Sequence, residues 1–294
     1  MKQPFVSVIM VNYNTAEHTL ECIDSLKSIE YENYEVIVVD NASKKEDVEK
    51  LCTIEDSNVK LIKSEINTGF SGGNNIAIKQ VLNKSDYVLL LNNDTTVEKD
   101  FLNIMIDKAE SSQEIGVVCP KICNYYNRTE VTYGSADINY FKGGVFIYGI
   151  NEKNETVYNT PREITFATGC CMLIKREVLN KTGLLPDEYF LYFEDTDYSM
   201  MVKRAGYKMW YEPKAVIYHK ESVSTGKCSP NFQYYFSRNR FMFIKRNFSL
   251  KNKFTAYTIS FMYIVKSILK GNFNVSNSFA GLMDFFKGKT GKRE

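Results

Sequence analysis

The chain has 294 residues, 44% hydrophobic and 24% charged, which is enough apolar material to bury one large core and excludes disorder as its main state. A formal charge of only +2 lacks the overall basic footprint of a nucleic-acid binder. The charge is unevenly spread: from Arg238 onward 12 basic residues face 2 acidic ones, a local +10 that leaves −8 for the remainder.

The first 120 residues alternate apolar β-type runs with helical patterns. Residues 5–12, 35–40, 59–63, 87–92 and 116–119 are short, rich in Val, Ile and Leu, and bounded by Asn, Asp, Gly or Ser. Residues 15–29, 44–52, 74–82 and 98–111 read as helices between them. Thr15 stands as N-cap of the first, with Leu20, Ile23 and Leu26 on one face. This repetition predicts an α/β fold with a mostly parallel, Rossmann-like sheet covered by helices on both faces. Residues 121–161 read as an irregular, β-containing excursion. Residues 167–174 then read as a strand, 175–179 as a short helix, 194–206 as a helix with an acidic start and a basic end, and 209–212 and 215–219 as two short strands.

In such sheets ligands bind beyond the carboxyl ends of the strands. The segments that follow the apolar runs are Asn12-Tyr13-Asn14, Asp40-Asn41-Ala42-Ser43, Asn67-Thr68-Gly69 running on to Gly73-Asn74, and Asn92-Asn93-Asp94. Each alone is ordinary turn chemistry; four on one edge indicate a site. Asp94 beside two asparagines suits a hard divalent cation, and Glu194-Asp195 supplies a second pair of carboxylates. His219, one of two histidines, ends a strand.

These pieces together resemble the family-2 glycosyltransferases of the GT-A type. The resemblance covers residues 6–244 through VSVIMVNYN, VVDNAS, NTGFSGGNN, LLLNND, FATGCCMLI, FLYFEDTDYSMMVKRAGY, YHKES and YYFSRNR, in that order. The NND, EDxD and YYxxRNR forms are most similar to the bacterial rhamnosyltransferase and galactofuranosyltransferase-like branch. The resemblance implies that Val11, Asn12, Tyr13, Asn14 and Asp40 form the pocket for base and ribose. It implies that Asn67, Gly69, Gly73 and Asn74 shape a loop under the nucleotide, and that Gly169 belongs to the same nucleotide-sugar site. Asn92, Asn93 and Asp94 match the Asp-x-Asp motif, with Asn92 where the family carries its first Asp. Asp94 and His219 would hold Mg²⁺ or Mn²⁺, Asp195 would be the general base with Glu194 beside it, and Arg238 and Arg240 would offer forks to a donor phosphate or to the acceptor.

The implied activity is inverting transfer of a sugar from a dTDP- or UDP-sugar, dTDP-rhamnose among them, to a saccharide acceptor, lipid-linked in many relatives, in cell-surface polysaccharide synthesis. A sugar nucleotidyltransferase would show an early Gly-rich loop with basic residues, and none follows residues 5–12. A catalytically degenerate nucleotide-sugar-binding scaffold is the non-enzyme alternative, opposed by the retained Asp94, Asp195 and His219.

Residues 1–246 are expected to form the catalytic domain, with residues 1–120 as its nucleotide-binding half and 121–246 as its acceptor-binding half, followed by a basic, amphipathic helical extension, 247–294. Residues 254–269 are apolar but carry Lys266 and fall short of the roughly 20 needed to span a bilayer. Phe279, Leu282, Met283 and Phe286 recur at helical spacing before Lys287, Lys289, Lys292 and Arg293. That composition suits a helix lying on an anionic membrane, or one packed on the catalytic domain or on a second copy of the chain. Seven cysteines without a CxxC pair indicate a reducing compartment, and zinc at Cys119 and Cys123 or at Cys170 and Cys171 would want more ligands at recognisable spacing. Residues 2–4 lead straight into a strand-like run with no leader pattern. The expected location is cytoplasmic, with the tail able to attach at the inner face of the plasma membrane.

Overall fold

The computed structural model describes residues 3–150, 155–220 and 229–293. Strands and helices alternate first: β1 (Val6–Asn12), α1 (Ala16–Leu26), β2 (Tyr34–Asn41), α2 (Lys45–Leu51), β3 (Val59–Ser64), α3 (Gly69–Val81) and β4 (Tyr87–Leu91). Then follow β5 (Thr95–Val97), α4 (Phe101–Glu110), β6 (Ile115–Asn124), β7 (Val131–Tyr133), β8 (Ala136–Asn139), β9 (Gly144–Ile147), α5 (Glu155–Asn159), β10 (Arg162–Ile164), β11 (Cys171–Lys175), α6 (Arg176–Thr182), α7 (Glu194–Arg204) and β12 (Lys208–His219). Three helices close the chain: α8 (Pro230–Asn247), α9 (Leu250–Leu269) and α10 (Val275–Phe286).

The main sheet runs β10-β12-β6-β11-β4-β1-β2-β3. Its β3-β2-β1-β4 half is parallel, and Val6, Val8, Ile9 and Met10 on β1 have no exposed surface, as expected of a strand covered on both faces. Beyond β4 the sheet is mixed. β11 is antiparallel to both β4 and β6, while β6 and β12 pair in parallel. Residues 168–170, where Cys170 N donates to Thr168 Oγ1 at 3.3 Å, lead into β11.

Three local expectations are corrected. The glycine-rich segment after Asn67 is the first turns of α3 and not a loop, so Gly73 and Asn74 are buried helical residues and Asn74 Nδ2 donates to Phe70 O at 2.9 Å. Residues 208–219 form one strand, interrupted by a register shift between Glu212 and Val216 at Pro213, because proline cannot donate to the ladder. Thr15 occupies the N-cap position of α1 but makes no side-chain cap; Asp47 accepts from Ala16 N at 3.0 Å instead. Residues 151–154 of the middle excursion, and Glu221 and Ser222 of the YHKES piece, lie outside the described residues.

The C-terminal helices pack onto the catalytic body through α8. A Cβ on Gly281 would lie 2.3 Å from Tyr234 O, so α10 approaches α8 backbone to backbone only because that residue is glycine. Among the described residues no helix is long and apolar enough to cross a membrane.

At the sheet edge remote from the strand carboxyl ends, Glu35 is buried beside Ser7, Lys60 and Lys84. Burial raises its carboxyl, yet the bonds from Lys60, Lys84 and Ser7 outweigh this and hold it below the usual glutamate range. A depressed folded pKa contributes stability above the unfolded value of 4.5, and that stability is lost as pH falls through the folded value. Glu35→Gln is therefore expected to cost about 1 kcal/mol at pH 7 and to flatten the loss of stability below pH 4.5. Urea unfolding across the acid range measures both.

Candidate functional site

The carboxyl ends of β1, β2 and β4 lie side by side, and register pairs Asn12 with Asp40. Asn12 is fully buried. Its Nδ2 donates to Asp40 Oδ1 and Asp47 Oδ2, both at 2.9 Å, and its Oδ1 accepts from Thr19 Oγ1 at 2.9 Å. Asp40 also accepts from Ser43 N at 3.2 Å and is buried. Both side chains thus face into the protein, while Val11 is half-buried and Tyr13 and Asn14 stand at the open rim. Asn14 adopts φ 57° and accepts from Lys44 N at 2.8 Å. Asn67 Oδ1 accepts from Gly69 N at 2.9 Å and shapes the turn into α3.

The Asn92-Asn93-Asp94 segment splits by role. Asn93 is buried, its amide donating to Thr15 and Thr19 Oγ1 at 2.8 Å each. Asn92 Nδ2 lies 3.4 Å from His219 Nε2. Asp94 Oδ1 lies 3.0 Å from the same imidazole nitrogen, brought there by pairing of β5 with the end of β12, Thr95 opposite His219. Burial pushes the Asp94 carboxyl up, but the hydrogen bond and charge of His219 more than offset it and the carboxyl sits below the usual range. Burial disfavours the imidazolium, yet Cys170 and Asp94 together hold His219 well above its ordinary value.

On the other side of the entry to β11, Asp195 Oδ2 accepts from Gly169 N at 3.1 Å, and Cys170 O accepts from Asn92 N at 2.8 Å. Two adjacent residues of one turn thus link the Asp195 carboxylate to the Asp94 segment. Glu194 is buried with Oε2 unpartnered. Burial, then the neighbouring Asp195 charge, push the Glu194 carboxyl far up; burial also raises Asp195 against the hydrogen bonds from Gly169 and Thr196.

Residues 7–183 match the sequence profile of glycosyl transferase family 2. The chain belongs to that family. It is 24% identical to the low-salt glycan biosynthesis hexosyltransferase Agl10 of Haloferax volcanii, across 98% of this chain and 93% of that protein. It is 22% identical to the N-acetylglucosaminyl-diphospho-decaprenol L-rhamnosyltransferase of Mycobacterium tuberculosis, across 75% of this chain and 77% of that one. Among solved structures, the mannosyltransferase PcManGT of Pyrobaculum calidifontis, in complex with GDP-Man and Mn²⁺, superposes with a TM-score of 0.62 at 15% identity, covering 98% and 89% of the two chains. GalNAc-T7 with UDP, GalNAc and Mn²⁺ gives 0.64 at 16%, over 80% of this chain and 47% of that chain. At such identities these likenesses concern the GT-A fold.

In this family-2 glycosyltransferase the expectation that Arg238 and Arg240 present forks at the cleft is corrected. Arg238 is fully buried and donates through a terminal nitrogen to Tyr189 O at 3.0 Å and through Nε to Asn239 Oδ1 at 2.9 Å. Arg240 ties α8 to α9 and to the β8–β9 turn, donating to Ser260 Oγ at 2.9 Å and Lys142 O at 2.6 Å. Helix packing turns both side chains inward.

Several contributors escape sequence reasoning. Asn41 Oδ1 accepts from Thr68 N at 3.0 Å and its Nδ2 donates to Gly69 O at 2.9 Å, fixing the start of α3. Lys220 is buried next to His219, its ammonium on Glu21 and 2.9 Å from His18 Nδ1. Asn239 is the largest omission. Its Nδ2 lies 2.8–2.9 Å from the carbonyls of Tyr189, Leu191 and Tyr192. They belong to a loop in which Phe190, Tyr192 and Phe193 all have φ between 64° and 74°, costly for side chains with a Cβ. That loop leads directly into Glu194-Asp195. The only sequence signal was the RNR motif, whose asparagine sits between two more conspicuous charges.

Asn239→Ala is expected to cost about 1–3 kcal/mol, because the three carbonyls lose a shared donor. Catalysis should fall further than stability, with nucleotide affinity little changed. Thermal unfolding compared with kcat and nucleotide titration separates the effects.

Proposed function

We propose that the protein transfers a sugar from a nucleotide-sugar donor, with inversion, to a lipid-linked saccharide in cell-surface glycan synthesis. The observation that carries this reading is the placement of Asp195 and of the Asp94–His219 pair on the two sides of the 168–170 turn. Residues 1–246 would form the catalytic unit and 247–294 the appended helices. The names of the Mycobacterium tuberculosis and Haloferax volcanii relatives support a hexosyl donor and an acceptor on a diphospho-lipid, with dTDP-rhamnose or a UDP-sugar as the candidate donors.

The base and ribose would lie against Val11, Tyr13 and Asn14 at the rim, with Asn12 and Asp40 bracing that wall from beneath. Asp94 and His219 are a carboxylate and an imidazole of the kinds a divalent cation takes; they bond each other at 3.0 Å, so the imidazole would give up that hydrogen bond and its proton to ligate. Among the described residues no three His, Cys, Asp or Glu side chains gather, so diphosphate and water would complete the shell, a pattern that suits Mg²⁺ or Mn²⁺. Such a cation offsets charge gathering on the leaving diphosphate.

The residues of this chain do the remaining work. Burial and the Asp195 charge push Glu194 toward its neutral form, and the hydrogen bonds from Gly169 and Thr196 favour the charged form of Asp195. That carboxylate takes the proton from the acceptor hydroxyl as the oxygen attacks the anomeric carbon opposite the leaving group. The Gly169 N–H holds one Asp195 oxygen and the Thr196 hydroxyl the other, which fixes the plane of the carboxylate.

Asp195→Asn is expected to lower kcat by roughly 10²–10⁴ with nucleotide affinity retained. Retained transfer in a folded variant would sink the base assignment. Protonation of the base abolishes its role, so activity should fall as pH drops, with the acid limb of kcat/KM above the ordinary aspartate value of 3.8. A thermal-shift screen against dTDP, UDP and GDP, with and without Mn²⁺ or Mg²⁺, is expected to show a metal-dependent shift with dTDP or UDP. A shift without any transfer would favour the scaffold reading.

A further inference from the structure

Sugar transfer accounts for one edge of the sheet and leaves the outer face of α9 and α10 without a role. On α9, Leu250, Phe254, Phe261, Val265 and Leu269 recur at spacings of four and seven and point outward, Phe254 being 78% exposed. The opposite face of the same helix buries Ala256, Ser260, Ile264 and Ser267. On α10, Val275, Phe279, Met283 and Phe286 form a second outward stripe, Phe286 being 74% exposed. Large aromatic side chains stand in water on both helices, which meet through Tyr257 and Phe285 with ring centroids 6.2 Å apart, and exposed apolar stripes of this size mark interaction surfaces. Phe286 also lines an apolar hollow of about 420 Å³ with Phe241, Tyr257 and Phe285, with Lys245 at its margin.

We propose that this face docks on an anionic lipid bilayer. The charge around it names the occupant. Lys251 and Lys266 on α9, Lys270 just past its end, and Lys287, Lys289 and Lys292 after α10 are exposed. The single acidic side chain among described residues 248–293 is Asp284, which accepts from Tyr234 OH at 2.7 Å. An apolar stripe flanked by lysines lies in the interface of an anionic membrane with its rings among the acyl chains and its ammonium groups at the phosphates. A second copy of the chain would instead bring two cationic rims together. Both helices are anchored on α8, so the face is rigidly presented. α8 also holds the 189–193 loop through Asn239, so one helix separates this face from the segment leading into Asp195. The inference deepens the reading of a lipid-linked acceptor and rests on that reading only for its biological purpose.

Removing the whole extension would expose Phe241 and the rest of α8, so point variants of the full chain are the better test. Flotation with phosphatidylcholine vesicles, with and without phosphatidylglycerol, reads the partition. The wild-type chain is expected to favour the anionic vesicles by at least roughly tenfold. Phe254→Ser/Phe261→Ser/Phe279→Ser and Lys266→Glu/Lys270→Glu/Lys287→Glu should each lose at least that factor. Their thermal midpoints and nucleotide-induced shifts should stay unchanged, because the altered side chains are exposed and lie on the appended helices. Wild-type protein that fails to float, or variants that float as well as wild type, would overturn the proposal. So would light scattering that shows a dimer dissociated by the phenylalanine variant, which assigns the face to a second copy. Flotation requires no catalysis: if the sugar-transfer reading fails, the nucleotide shifts disappear while flotation persists.

Discussion

The loop at residues 189–193 is the constraint on which the proposed chemistry depends. Three of its residues sit in the left-handed region without being glycine, a conformation that costs of order 1–3 kcal/mol each and persists only where neighbours over-determine it. Asn239 and Arg238 hold its carbonyls from α8. From the opposite side Phe70 N donates to Phe190 O at 2.8 Å, where a Cβ on Gly69 would meet that oxygen at 2.1 Å. The start of α3 and the start of α7 are therefore one assembly, and the glycine is what lets them touch.

The polar strand edge obeys a second rule. A buried amide or carboxylate must be paired, so an edge rich in Asn and Asp cannot point all of them at a ligand. Asn12, Asp40 and Asn93 join α1, α2 and three strand ends into one bonded network. Outside that network Tyr13 is exposed at the rim, while Asp94 is buried against His219 and Asp195 is tied to Gly169. The inward group makes the wall stiff, and stiffness is what placement of a reacting hydroxyl within hydrogen-bond reach requires.

α8 serves both ends of the protein. Arg246 pairs with Asp197 at 3.1 Å, and Asn247 donates to the same carboxylate at 2.7 Å, which pins α7. Its other side receives α10 at glycine distance. The helices that looked like an appendage by composition are thus mechanically continuous with the segment bearing Glu194 and Asp195.

Local pattern was sufficient for most strands and helices of the first half and for the candidate carboxylates, although β5 went unread and α3 begins at Gly69, ahead of the predicted 74–82. Apolar runs of five to eight residues between turn residues can be read without neighbours, and charge patterns such as EDTD announce a helix start. The order of the eight segments from VSVIMVNYN to YYFSRNR along the chain was also enough to show the resemblance to the family. The direction of each side chain was not legible. Asn92, Asn93 and Asp94 are consecutive and chemically alike, yet they end beside His219, on α1 and in the ion pair respectively, because only pairing of β5 with β12 decides which faces what. Arg238 and Arg240 read as free charges until packing of α9 and α10 closes over α8. The glycine-rich segment reads as a loop until Asn41 and Phe190 show that its backbone is needed for close approach. Residue type and spacing determined the inventory of this protein; long-range register and helix packing decided where each member of that inventory ends up, since those contacts join residues 49 positions apart, as for Arg238 and Tyr189, or 127, as for Asn92 and His219, which no local window contains.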